Sequence, residues 1–149
     1  MKIKGSIDFE IKDKNGKTKD KWSVKNSVMK VGFAQLALLA GDATAVPFTY
    51  LAVGTSSTAV ATTQTALVGE ITDSGLARAS ATVSRVTTTE TNDTLQLVKT
   101  FSVSGTKTVE EVGIFNDATA GTMLARALTT TKSLVSGDTL AITYKVKFS

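Results

Sequence analysis

Thr139-Leu140-Ala141-Ile142-Thr143-Tyr144-Lys145-Val146-Lys147-Phe148 alternates without a break between large apolar residues and polar or small ones. Successive side chains of an extended chain point to opposite faces, so this period of two reads as a strand with one buried face, formed by Leu140, Ile142, Tyr144, Val146 and Phe148. The same period governs the other end of the chain. Ile3, Gly5, Ile7, Phe9 and Ile11 alternate with Lys4, Ser6, Asp8, Glu10 and Lys12, and Trp22 and Val24 resume the pattern after a gap. The gap contains Asn15-Gly16, the strongest short hairpin signal, because a type I′ turn needs positive φ at both central positions. A two-residue loop there sets Phe9 opposite Trp22, Ile7 opposite Val24 and Glu10 opposite Lys21, all favourable cross-strand pairs. It leaves one defect, Lys12 facing Lys19 near the tip.

Working inward, residues 48–54 after the single proline, Pro47, read as a core strand, followed by a loose Ser/Thr/Ala-rich loop. Residues 64–71 suit one or two helical turns with Ala66, Leu67 and Ile71 facing inward. Residues 77–88 and 94–103 form a hairpin across the polar stretch 89–93, and residues 109–115 and 122–128 flank the turn-rich stretch 116–121. One segment breaks the pattern. Asn26-Ser27 supplies an N-cap, residues 28–40 are apolar on most sides, and Gly41 suits a C-terminal cap. A helix so poor in polar residues needs cover, which a sheet would give. The expected fold is therefore mainly β: an antiparallel β-sandwich with one buried helix, about residues 28–40, and an N-terminal β-hairpin.

Of the 149 residues, 42% are hydrophobic and 20% charged, an ordinary globular mixture that supports one domain with a small appendage. The formal charge of +4 sits entirely in residues 1–26, which hold eight lysines against four acids. That asymmetry divides the chain into an N-terminal basic hairpin or arm, 1–26, and a sandwich domain, 27–149. The lysines suit the solvated face of a hairpin better than a nucleic-acid site, since the segment has no arginine and its aromatics share the apolar face. No specific nucleic acid is expected as a partner.

Histidine and cysteine are both absent. Imidazole bases, Ser-His-Asp and Cys-His nucleophiles, thiolate chemistry, disulfides and histidine-containing zinc sites are excluded with them. Glycine-rich phosphate motifs are missing. Glu110 and Glu111 are adjacent in a strand and point to opposite faces, so they form no catalytic carboxylate pair. The acidic turns around Asp13 and Asp117 lack the spaced ligands of a calcium loop. No catalytic, cofactor-binding or metal residue emerges, and the expectation is a binding or structural protein. The longest apolar run contains Lys30 and Gln35 and falls short of the ~20 residues of a membrane span. A soluble protein, made and assembled in cytoplasm, is expected.

Several stretches together carry a resemblance: residues 48–55, Thr63-Gln64-Thr65-Ala66-Leu67-Val68-Gly69-Glu70-Ile71, Glu111-Val112-Gly113-Ile114-Phe115-Asn116, and Thr122-Met123-Leu124-Ala125-Arg126. In order and spacing, over roughly residues 27–149, they resemble the N-terminal region of tailed-bacteriophage tail-collar fibre proteins and related small virion proteins. The resemblance implies a non-enzymatic virion structural protein, located in the virion and acting through contacts with other capsid or tail proteins. A capsid decoration protein and a short tail, collar or fibre-attachment component both fit it. It also implies a homo-oligomer, with a trimer the usual symmetry of fibre-like components. The N-terminal segment is then a candidate docking arm, with Phe9 and Trp22 beside a basic face of Lys12, Lys14, Lys17, Lys19 and Lys21. The alternative is a host-glycan-binding β-sandwich, weakened because Trp22 is the only tryptophan and falls on the apolar face.

Overall fold

The computed structural model describes all 149 residues. In chain order the elements are β1 (Ile3–Lys12), β2 (Thr18–Lys25), β3 (Ser27–Val28), α1 (Lys30–Gly41), β4 (Tyr50–Gly54), β5 (Ala79–Ser80), β6 (Thr82–Val86), β7 (Thr94–Ser102), β8 (Lys107–Phe115), β9 (Met123–Leu134) and β10 (Thr139–Phe148). They form two antiparallel five-stranded sheets, ordered β2-β1-β10-β7-β6 and β3-β9-β8-β4-β5. The alternation in residues 139–148 does what its period requires: Leu140, Ile142, Tyr144 and Val146 are buried while the residues between them reach the surface. β10 lies at the centre of the first sheet, paired with β1 on one side and β7 on the other. The expected mainly β sandwich is the observed one.

The hairpin follows the expected register from Ser6↔Lys25 through Phe9↔Trp22 to Ile11↔Asp20. Its turn differs. Asp13 and Lys17 pair across a three-residue loop, with the Gly16 N–H donating to the Asp13 carbonyl at 2.9 Å and only Gly16 in the left-handed region, at φ 80°. The extra loop residue is absorbed by a bulge at Lys19, after which Lys12 pairs with Thr18. The bulge removes the like-charge defect by turning Lys19 towards Asp138, whose Oδ2 accepts from its ammonium at 2.7 Å. Residues 1–26 are built into the sandwich: every residue of β1 pairs with β10, and Ile7, Phe9 and Ile11 join the main core cluster.

Three other expectations are corrected. The helix runs Lys30–Gly41, but it is not buried; Gly32 is its only buried residue, and Phe33, Ala34, Ala37 and Leu38 face solvent. Asn26-Ser27 is not its cap, because Ser27-Val28 instead pairs with Arg126 and Ala125. Gly32 sets the helix against β9, so close that a Cβ there would lie 2.5 Å from the Leu124 carbonyl oxygen. Residues 64–71 form no helix, and Ala66 is exposed while Leu67 and Ile71 are buried. The backbone of this segment bonds to neighbouring strands: the Ile71 N–H donates to the Val53 carbonyl at 2.9 Å and the Thr55 N–H to the Gly69 carbonyl at 2.8 Å. The segment is thereby laid over β4 and β8 as a cover. With the main core on the other side, both faces of these strands are dry, which explains the unbroken buried runs 51–54 and 111–116. No helix is long and apolar enough to cross a membrane.

Candidate interaction surface

The proposed arm residues are largely committed within the fold. Phe9 is buried and stacks on Trp22, ring centroids 4.8 Å apart and planes within 4°. Trp22 is half-buried; its indole N–H donates to Thr129 Oγ1 at 2.6 Å, and the Lys132 ammonium lies 4.4 Å from its ring centroid. These aromatics pack against the main core, and with Lys21 they also line a surface hollow. Lys12 and Lys21 both pair with Glu10 at 3.2 Å, and their hydrogen bonds hold that carboxyl below its ordinary range. Burial pushes Asp138 up, but the Lys19 ammonium and the Val135 N–H outweigh it and hold the carboxyl low. Of the seven residues, Lys14 and Lys17 alone stand exposed at the turn without an ion pair.

The structure also brings together residues that the sequence showed only as isolated charges. Glu111 on β8 and Arg126 on β9 are fully buried, with Arg126 Nε donating to Glu111 Oε2 at 2.7 Å. The remaining donors of Arg126 reach Gln64 Oε1 and the Thr58 carbonyl, both at 3.0 Å. Glu111 in turn accepts from the Val68 and Gly69 N–H groups at 3.2 and 2.6 Å. One ion pair therefore fastens the covering segment at Thr58, Gln64 and Val68-Gly69. Arg78 does the same nearby. It grips Glu70 with two bonds of 2.8 and 2.7 Å, donates to the Asp117 and Ala120 carbonyls, and lays its guanidinium 3.6 Å from the Phe115 ring centroid. The available signal was the acidic pair Glu110-Glu111 in the run 109–115 and the single base Arg126 in the run 122–128, which flank the turn-rich stretch 116–121.

These carboxylates are consumed by their partners, and no group of three or more His, Cys, Asp or Glu side chains converges on a metal-sized space. Burial raises Tyr144 above its ordinary value, but its hydroxyl sits in the core and accepts from Asn26 at 2.9 Å.

What remains open is α1. Phe33 and Leu38 are 50% and 48% exposed, and Met1, across the groove from Phe33, is 96% exposed. Between the helix and the start of β1 runs a groove of about 750 Å³, walled by Phe33, Leu36 and Ala37 on one side and Met1, Ile3 and Phe148 on the other. On the opposite flank a hollow of about 260 Å³ is lined by Leu36, Leu39, Val83 and Arg85 among others. Lys2 and Lys4 line the larger groove, and no acid lines either. An apolar patch of this kind on a folded chain marks a contact surface.

Fold and surface thus define a small antiparallel β-sandwich module with an anchored cover on one sheet and an open apolar helix at its side. A family model described as Podophage GP4 fiber I protein gp80 matches residues 34–146, which is 113 of the 149 residues. The chain belongs to that family and is a bacteriophage tail-fibre-related structural protein, a component of the virion. The matched stretch takes in most of α1, the covering segment and both residues of the buried ion pair. No curated protein and no solved structure matches the chain.

Proposed function

We propose that the chain is a non-enzymatic attachment piece of the tail-fibre apparatus, of the collar type that its sequence resembles, working through protein–protein contacts. The observation that carries this reading is the exposed apolar face of α1 in a member of a fibre-protein family. The fold leaves open the one element whose composition demands cover, and a second virion protein supplies that cover. Fibre-family membership favours the tail over capsid decoration. Assembly with the rest of the particle in the bacterial cytoplasm, and self-association as a trimer, belong to the same reading. The host-glycan alternative gains nothing from the fold, because the ring of Trp22 is occupied by Phe9 and Lys132, leaving no sugar platform there.

Particles grown without this chain test the reading. Loss of fibres from otherwise intact tails, scored by electron microscopy and mass spectrometry of purified particles, is the expected result. Fibres retained at normal occupancy would show that the chain attaches nothing.

A further inference from the structure

We infer that the groove between α1 and the paired chain ends is the seat of an apolar segment edged with carboxylates and supplied by a different virion protein. The inference rests on the reading of the chain as a virion component that works through protein contacts, and it specifies the chemistry of the partner.

The groove is built, not frayed. Lys2 and Ser149 bond reciprocally through their backbones, so the two chain ends form one fixed wall. Phe148 stands in that wall and Phe33, Leu36 and Ala37 form the other, giving an apolar trough of about 750 Å³. Such a trough takes the apolar side chains of a docked helix or strand.

Charge selects among occupants. Lys4 lines the trough and also borders a neighbouring hollow of about 460 Å³, whose rim includes Lys25, Lys145 and Lys147. In the β1–β10 ladder Lys4 stands directly opposite Lys147, and Ser6 in the next outward-facing row stands between Lys25 and Lys145. Like charges in direct register destabilise a sheet. No acid lines this hollow, and Lys4, Lys25 and Lys145 form no ion pair within the chain. Carboxylates brought by a partner relieve that repulsion while its apolar side chains fill the trough. A second copy placed face to face would set lysines against lysines. A nucleic acid would match the lysines but leave the trough empty.

Two substitutions in assembled particles test this. Lys4→Glu turns the clash with Lys147 into an attractive pair, so the isolated protein should melt at the same or a higher temperature, yet its occupancy in particles should fall about tenfold. A photo-cross-linking phenylalanine analogue replacing Phe33, which lines the trough and is half exposed, should join the chain to another virion polypeptide, at a segment that mass spectrometry shows to be apolar and flanked by Asp or Glu. The same analogue at exposed Val135, away from α1, is the control. Unchanged occupancy of the Lys4→Glu protein would overturn the inference. A Phe33 cross-link to a second copy, or none while Val135 reacts, would do so too, as would binding of the isolated protein to anionic lipid vesicles that Lys4→Glu abolishes. Absence of the unmodified chain from particles would instead sink the functional reading itself, and this inference with it.

Discussion

Arg126 carries its charge where no water reaches it, and its environment supplies substitutes for hydration: the Glu111 carboxylate, the Gln64 amide and the Thr58 carbonyl. Removing one partner of such a pair leaves the other charged and buried, which costs about 3–5 kcal/mol. Arg126→Met is expected to lower stability by that amount, read as a shift of the urea midpoint, and to expose residues 55–71 to protease before global unfolding. Gln64→Ala removes one acceptor of a charged donor and should cost roughly 1.5–3 kcal/mol. If Arg126→Met melted like the parent chain, the ion pair would not be what fastens the covering segment. Gln64, Glu111 and Arg126 all fall in the stretches that carry the family resemblance, and what they share is this one junction. The junction was not legible beforehand, because pairing a charge in residues 109–115 with one in residues 123–128 requires the bulged register of β8 and β9 as well as their order.

The hairpin shows how an element can be legible in register and not in its turn. Alternation sets which residues share a face, and the pairs Phe9↔Trp22 and Ile7↔Val24, expected from a two-residue loop, hold because the bulge at Lys19 offsets the third loop residue. The turn was decided by a local competitor: Asp13 Oδ1 accepts from the Asn15 and Lys17 N–H groups at 2.8 and 3.0 Å and draws out a three-residue loop. Because β1 lies between β2 and β10, deleting residues 1–26 strips Ile7, Phe9 and Ile11 from the core. At about 1.5–3 kcal/mol for each buried side chain, that loss is on the order of 5–9 kcal/mol. It is comparable with the about 5–15 kcal/mol that holds a whole domain together. The truncated chain is expected to lose its cooperative melt, and a cooperative melt near that of the parent would show the hairpin to be dispensable. The same element should respond to acid. Glu10, Asp20 and Asp138, each ion-paired to lysine, all have carboxyls held below their ordinary values. A lowered native value means that the folded state favours the carboxylate. This stabilisation is complete above the ordinary values of 3.8 and 4.5 and drains away as pH falls through the lower native ones. Trp22 fluorescence and the melting temperature should therefore hold steady from neutral pH to about pH 5 and fall below it. Asp138→Asn should melt lower at neutral pH and show a shallower acid limb.

At the scale of the whole molecule, the sandwich was legible because strand periods and turn residues agreed. The side on which α1 stays open was not. A helix apolar around most of its circumference carries no phase to say which face the chain covers, and the choice was made by Gly32 settling on the backbone of Leu124. The consequence reaches the particle. A shell-covering decoration protein contacts a lattice of identical subunits, so its copy number approaches that of the capsid protein. A piece that offers one apolar trough with a basic rim to one partner segment is matched to the number of fibres. Quantitative mass spectrometry of purified particles should then find this chain far below parity with the major capsid protein and in a fixed ratio to the fibre polypeptides. Parity with the capsid protein would move the α1 face from the tail to the shell, because only the capsid could supply that many copies of a partner segment.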